Sequence, residues 1–261
     1  MIASTANQHV KYLRSLRDSA KERRSGRSVL LEGVRLVAHA LATGAALRVA
    51  LYAHEQLADT PEGAALLATL TERHGCFAAT PAVVAAAAET QHPQGVVAAC
   101  AWPDLAPRPG LRLVLDSIQD PGNVGTLLRS AEAAGVGLAL CAPGTADPYS
   151  PKVVRAAMGA HFSLPLRAEL DWDTIGAELS ACQLVYAADA EATMPYFAAD
   201  WRQPVALIIG GEARGVSDEG LALATQRLAI PMLGRAESLN AGVAGSVILF
   251  EALRQRTRGR T

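Results

Sequence analysis

Leu111-Arg112-Leu113-Val114-Leu115-Asp116-Ser117-Ile118-Gln119-Asp120-Pro121-Gly122-Asn123-Val124-Gly125-Thr126-Leu127-Leu128-Arg129 reads as a buried strand, a loop and the start of a helix. The apolar run suits a strand covered on both faces, and Pro121-Gly122 sets a tight turn before the helix. Two later stretches have the same layout. Val205-Ala206-Leu207-Ile208-Ile209 runs into Gly210-Gly211-Glu212-Ala213-Arg214-Gly215. Ile230-Pro231-Met232-Leu233-Gly234-Arg235-Ala236-Glu237-Ser238-Leu239-Asn240 leads into a last helix. Asp116, Gly210 and Pro231 each follow a predicted strand. Ligands of open α/β sheets sit beyond the carboxyl ends of strands, so loops converging there make a site.

Each polar residue in these loops has two readings. Asn123 either caps the helix it opens or faces a ligand. Arg129, read on the first turns of that helix, meets an unfavourable dipole; a phosphate or the Glu212 carboxylate would compensate, and so would a surface salt bridge. Gly210-Gly211 allows close backbone approach and positive φ, and a plain tight turn needs the same pair. Ser238 and Asn240 both suit an N-cap; one fills that role and the other is left free. Gly122, Gly125 and Gly135 do not fit GxGxxG, and GxxxxGK[ST] is absent, which leaves nicotinamide and nucleoside-triphosphate chemistry little support.

Working outward, Trp102-Pro103-Asp104-Leu105-Ala106-Pro107-Arg108-Pro109-Gly110 can continue neither a helix nor a central strand. It predicts a linker at 102–110. With 261 residues, half of them hydrophobic and 19% charged, the chain can fill one large core or two modest ones. Before the linker, residues 7–24 read as a basic helix. Val29–Leu31, Leu47–Tyr52 and Gly95–Cys100 read as strands, and Val34–Leu41, 61–73 and a segment opening at Pro81 as helices. After the linker, further strands fall at Leu138–Cys141, Leu184–Ala187 and Val205–Ile209. The helix from Ala241 to Arg254 carries Val243, Val247 and Phe250 on one face. This alternation predicts an α/β fold.

The four cysteines form no CxxC pair or cluster with histidine, so no metal is expected. The net charge of −1 is uninformative, but Lys11, Arg14, Arg17, Lys21, Arg23, Arg24 and Arg27 crowd one end, and Arg254, Arg256, Arg258 and Arg260 the other. Either end serves as a phosphate footprint or as a solvated face and tail. No window of about 20 apolar residues suggests a membrane span. Met1–Thr5 leads into basic, polar sequence without the apolar core of a secretory signal, which predicts a cytoplasmic protein.

The three loop motifs together resemble the SpoU (TrmH-like) branch of the SPOUT methyltransferases. The resemblance implies transfer of a methyl group from S-adenosylmethionine to a ribose 2′-hydroxyl of RNA, ribosomal RNA in preference to transfer RNA, by a homodimer. It implies a catalytic domain at 111–261 with a parallel sheet and a deep trefoil knot. A basic N-terminal helix (1–27) and an L30e-like α/β substrate-binding domain (28–101) precede it, the latter carried by Leu31-Glu32-Gly33 with Arg35 and by Gln94-Gly95-Val96. Carried over by motif, Asn123, Arg129, Glu212, Ser238 and Asn240 are the catalytic residues. Gly210, Ile230, Met232 and Leu239 hold the cofactor, with an apolar lining for its adenine. Asp147–Ala160 resembles the segment between the family's first two motifs, and Lys152, Arg155 and Arg35 are expected to meet RNA. Ala157 stands where many relatives carry serine. A non-catalytic RNA-binding relative is the alternative.

Overall fold

Short apolar strands separated by helices pair into two sheets, one in each of two units. The computed structural model describes residues 1–257. One unit comprises Met1–Pro103 with Tyr149–Phe162, and the other Asp104–Pro148 with the described residues from Ser163 onward. Among the described residues, no helix is long and apolar enough to cross a membrane. Arg258 and Arg260 lie outside the described residues.

In the first unit, α1 (Gln8–Asp18) and α2 (Ala20–Ser25) precede β1 (Ser28–Glu32), α3 (Val34–Ala42) and β2 (Leu47–Tyr52). Then come α4 (His54–Ala58), α5 (Pro61–Thr71), β3 (Cys76–Ala78), α6 (Pro81–Ala87) and β4 (Val96–Ala101). The sheet order is β1-β4-β2-β3. β4 is antiparallel to both its neighbours, and β2 and β3 are parallel.

The basic segment 7–24 is two helices rather than one. Ser19, in extended backbone, ends α1 and caps α2 through Glu22 N–H. Nor is it a separate piece. Val10, Leu13 and Leu16 of α1 are buried with Leu30, Leu51 and Val83 in this unit's core. Two of its basic residues are structural. Arg23 is buried and donates to the Leu16 carbonyl at 2.6 Å. Arg17 donates to the Ala88 carbonyl at 2.9 Å, just past the end of α6. Both satisfy carbonyls that helix ends leave open.

The sequence strings around Glu32 and Gln94 also have a physical role. The Glu32 carboxylate accepts from Glu89 N–H at 2.8 Å. The Gln94 side-chain oxygen accepts from Val34 N–H at 3.2 Å. That oxygen also lies 2.9 Å from where a Cβ on Gly33, at φ 95°, would stand.

The second unit begins with β5 (Arg112–Asp116), α7 (Pro121–Ala133) and β6 (Leu138–Cys141). The chain then contributes Tyr149–Phe162, with α8 (Pro151–Ala156), to the first unit, where α8 packs on β1. A single cut at the linker therefore does not describe the chain: the stretch carrying Lys152 and Arg155 leaves the 111–261 block. The rest is β7 (Leu166–Arg167), α9 (Trp172–Leu179), β8 (Leu184–Ala188), β9 (Val205–Gly210), α10 (Asp218–Leu223), β10 (Gln226–Leu228) and α11 (Ala241–Thr257).

The second sheet has the order β10-β8-β9-β5-β6-β7, parallel throughout. β9 and β5 at its centre are almost wholly buried, as their unbroken apolar runs require. β5, β6 and β7 step outward on one side, while β8, β9 and β10 occupy the other. The loops after β5 and β9 thus emerge side by side where the strand order reverses, the usual ligand position in such sheets.

Candidate active site

The loop after β9 is forced into shape by its glycines. A Cβ on Gly210 would stand 2.0 Å from the Gly215 carbonyl carbon, and one on Gly211 2.4 Å from the Ser117 carbonyl oxygen. Gly215 N–H donates back to the Gly211 carbonyl at 2.9 Å, with Gly215 at φ 67°. Asp116, 1% exposed at the end of β5, accepts from Ser217 N–H at 2.7 Å and ties down the far side. The result is a fixed turn, 212–215, whose side chains are exposed.

Glu212 on that turn accepts from the Asn123 side-chain amide at 2.5 Å. Asn123 is buried. It is not the cap of α7: Asp120 fills that position, accepting from Asn123 N–H at 2.9 Å, with Pro121 at the first helical position. The asparagine side chain is therefore available to hold Glu212. The ambiguity before α11 resolves as well. The Asn240 side-chain oxygen accepts from Val243 N–H at 3.2 Å and caps the helix, leaving Ser238 exposed and, among the described residues, without a hydrogen bond.

These loops enclose a cavity of about 680 Å³, within the range of small-molecule sites. Gly210, Glu212, Ile230, Met232, Ser238, Leu239 and Asn240 all line it. Ile209, Leu228 and Ile248 add apolar surface. Asn123 reaches the cavity through its bond to Glu212. α11 closes down on α7 through glycines: a Cβ on Gly245 would stand 2.2 Å from Leu127 Cδ2, and one on Gly242 3.2 Å from the side-chain oxygens of both Asn123 and Asn240.

Arg129 is not among the lining residues. It lies well along α7, far past the first turn, so the N-terminal dipole does not oppose it. It is exposed and, among the described residues, has no ion-pair partner; the carboxylate suggested for it, Glu212, is bonded to Asn123 instead. Arg35 and Lys152 are exposed on the first unit, and Arg155 there is paired with Glu89.

The sequence reading missed the loop after β8. Ala188, Asp189, Ala190 and Glu191 line the cavity, and Asp189 is paired with Arg227 at 3.4 Å. The available signal was position alone: β8 is a parallel strand ending at the same edge as β9.

A parallel sheet with a carboxylate-lined cavity at its carboxyl edge has the layout of an α/β protein that binds a small molecule there. The SpoU rRNA Methylase family model matches residues 110–250, and the MRM3-like substrate binding domain model matches residues 7–98. The chain belongs to the SpoU rRNA methylase family, with a SPOUT methyltransferase fold and an N-terminal substrate-binding domain. It is 32% identical to the 23S rRNA (guanosine(2553)-2′-O)-methyltransferase RlmP of Bacillus subtilis, over 95% of this chain and 97% of that one. It is also 32% identical to human mitochondrial rRNA methyltransferase 3, over 89% of this chain and 68% of that protein. The crystal structure of the SpoU methyltransferase AviRb from Streptomyces viridochromogenes with AdoMet superposes with a TM-score of 0.84 at 29% identity, covering 96% of this chain and 98% of that one.

Proposed function

We propose that this chain transfers the methyl group of S-adenosylmethionine to a ribose 2′-hydroxyl of ribosomal RNA. The observation that carries this reading is the joining of the second and third loop motifs in one cavity, with Glu212 held there by Asn123 of the first. The cavity fits the cofactor. Ile209, Ile230, Leu239 and Ile248 offer an adenine ring an apolar wall, and Asp189, Glu191, Glu212 and Glu237 favour a cationic ligand. Gly210 and Gly211 bring backbone to the rim where a Cβ has no room. Ribosomal RNA is preferred because relatives matching both parts of the chain carry rRNA in their names.

S-Adenosylmethionine supplies an electrophilic methyl on a sulfonium. The ribose oxygen attacks it in line, so most of the acceleration comes from positioning. The Asn123 amide occupies one Glu212 oxygen, leaving the other to accept from the hydroxyl, whose proton must be lost as the C–O bond forms. Ser238, exposed on the rim, completes the hydrogen-bond set. Asn240 acts through the start of α11, which it caps. Arg129 lies outside this cavity; in this reading it is supplied by the second copy of the homodimer to orient the ribose and polarise its hydroxyl, since a guanidinium resists deprotonation and is a poor base. Gly210, Ile230, Met232 and Leu239 hold the cofactor. Arg35, Lys152 and Arg155 are assigned to RNA, Arg155 by exchanging Glu89 for phosphate.

The functional unit in this reading is a homodimer in the cytoplasm, its catalytic domain tied in a trefoil knot. Support for the dimer comes from α11, where Val243 and Phe250 are about half exposed on one stripe. The test is to incubate the protein with radiolabelled S-adenosylmethionine and unmodified ribosomal and transfer RNA, then digest each to nucleosides. Label in a 2′-O-methylnucleoside from ribosomal RNA is the expected result. Label on a base overturns the ribose assignment, and label in transfer RNA alone overturns the substrate class.

A further inference from the structure

Arg214 has no role in the account above, yet it lines the cavity and is the one cation among the described lining residues. The carboxylates of Asp189, Glu191, Glu212 and Glu237 share that lining. Even so, Arg214 has no hydrogen bond or ion pair among the described residues. Asp189 is engaged by Arg227 and Glu212 by Asn123. The backbone beneath Arg214 is fixed by the Gly215-to-Gly211 bond and by Asp116, while the side chain is exposed. A long guanidinium thus stands on a rigid base at the mouth of a negatively lined cavity.

The chemistry of the substrate says what it faces. In RNA the 2′-hydroxyl and the 3′-phosphate sit on adjacent ribose carbons. A hydroxyl brought to the cavity therefore carries a phosphodiester anion to its mouth, where Glu212 and Glu237 would repel it. A planar fork suits phosphate oxygens and works best where water is partly excluded. We infer that Arg214 is a substrate-positioning residue that binds the phosphate 3′ to the methylated ribose. The inference rests on the functional reading above.

The test uses the full-length protein with Arg214→Ala and Arg214→Lys. RNA affinity is measured by filter binding over a salt series, and cofactor affinity by calorimetry. Arg214→Ala should weaken RNA binding about 10- to 100-fold, the scale of one charge-assisted bond. It should also flatten log K against log salt by about 0.7–0.9, one phosphate's share, with cofactor affinity unchanged. Arg214→Lys should restore the salt slope but not the full affinity. Loss of cofactor affinity with RNA binding intact would overturn the inference, as would RNA binding and salt slope that do not move. Wild-type protein that binds RNA but labels no ribose would refute the functional reading, whereas the Arg214 contact is judged by the binding series.

Discussion

Glu212 and Asn123 lie 89 residues apart and meet in a hydrogen bond. Removing the amide frees the carboxylate to turn away. Asn123→Ala should lower kcat by about 100-fold, the lower range for a positioned proton acceptor, with cofactor affinity nearly unchanged; equal losses in both would assign Asn123 to cofactor binding. Gly211→Ala should act in the opposite way. Its Cβ would stand 2.4 Å from a backbone oxygen, so the loop must shift, and cofactor affinity should fall at least about tenfold on calorimetry. Burial pushes the Cys100 and Cys141 thiols up to about 12. Their thiolates are scarce at pH 8, so a thiol reagent should leave both unmodified in the folded protein and react with them on unfolding. At this scale the sequence named the residues expected at the site but not their partners. Which of Ser238 and Asn240 caps α11, and that Asp120 rather than Asn123 caps α7, depends on the entry angle of the chain. Arg129 was misjudged because the helix start was taken too close to it.

At the scale of the element, α1 is the clearest case of a helix with two faces. Lys11 and Arg14 are exposed, but Val10, Leu13 and Leu16 belong to the core. Deleting 1–27 therefore cannot isolate the contribution of its charges to RNA binding, because it removes core and should unfold the first unit. Leu13→Ala alone should cost about 2–5 kcal/mol, seen as a lowered denaturation midpoint; a shift near zero would mean that α1 is loosely docked. The cleaner probe of charge is Lys11→Ala with Arg14→Ala, which should leave stability unchanged. Strands with unbroken Val, Leu and Ile runs were legible from composition. β10 was expected only as an unbounded strand before Pro231, because its Gln226 and Arg227 are exposed, and the two-residue β7 was not seen at all; edge pairing rather than pattern defines both. For α11 the stripe of Val243, Val247 and Phe250 was visible, but its direction was not. The core face is Gly242, Gly245, Ile248, Leu249 and Ala252, where small residues admit α7.

For the whole molecule, the two exposed apolar side chains on α11 bear on assembly. If that stripe joins two copies, Phe250→Glu should shift the protein to a monomer in sedimentation, with the thermal midpoint little changed since Phe250 is half exposed. A dimer that survives the change would place the interface elsewhere. The division of the chain near 103 was legible because three prolines mark it. The return of Tyr149–Phe162 to the first unit was not, since a six-residue helix carries no sign of the sheet it will cover.

That return has a consequence during synthesis. A domain that is contiguous in sequence can fold as soon as it leaves the ribosome, and N-terminal domains generally do. Here the first unit lacks the helix that covers β1 until residue 162 has emerged. By then β5, α7 and β6 are already outside. The nascent protein must carry an unfinished first unit alongside two strands of a six-stranded parallel sheet, and a ribosome stalled anywhere between the linker and Phe162 would present both incomplete.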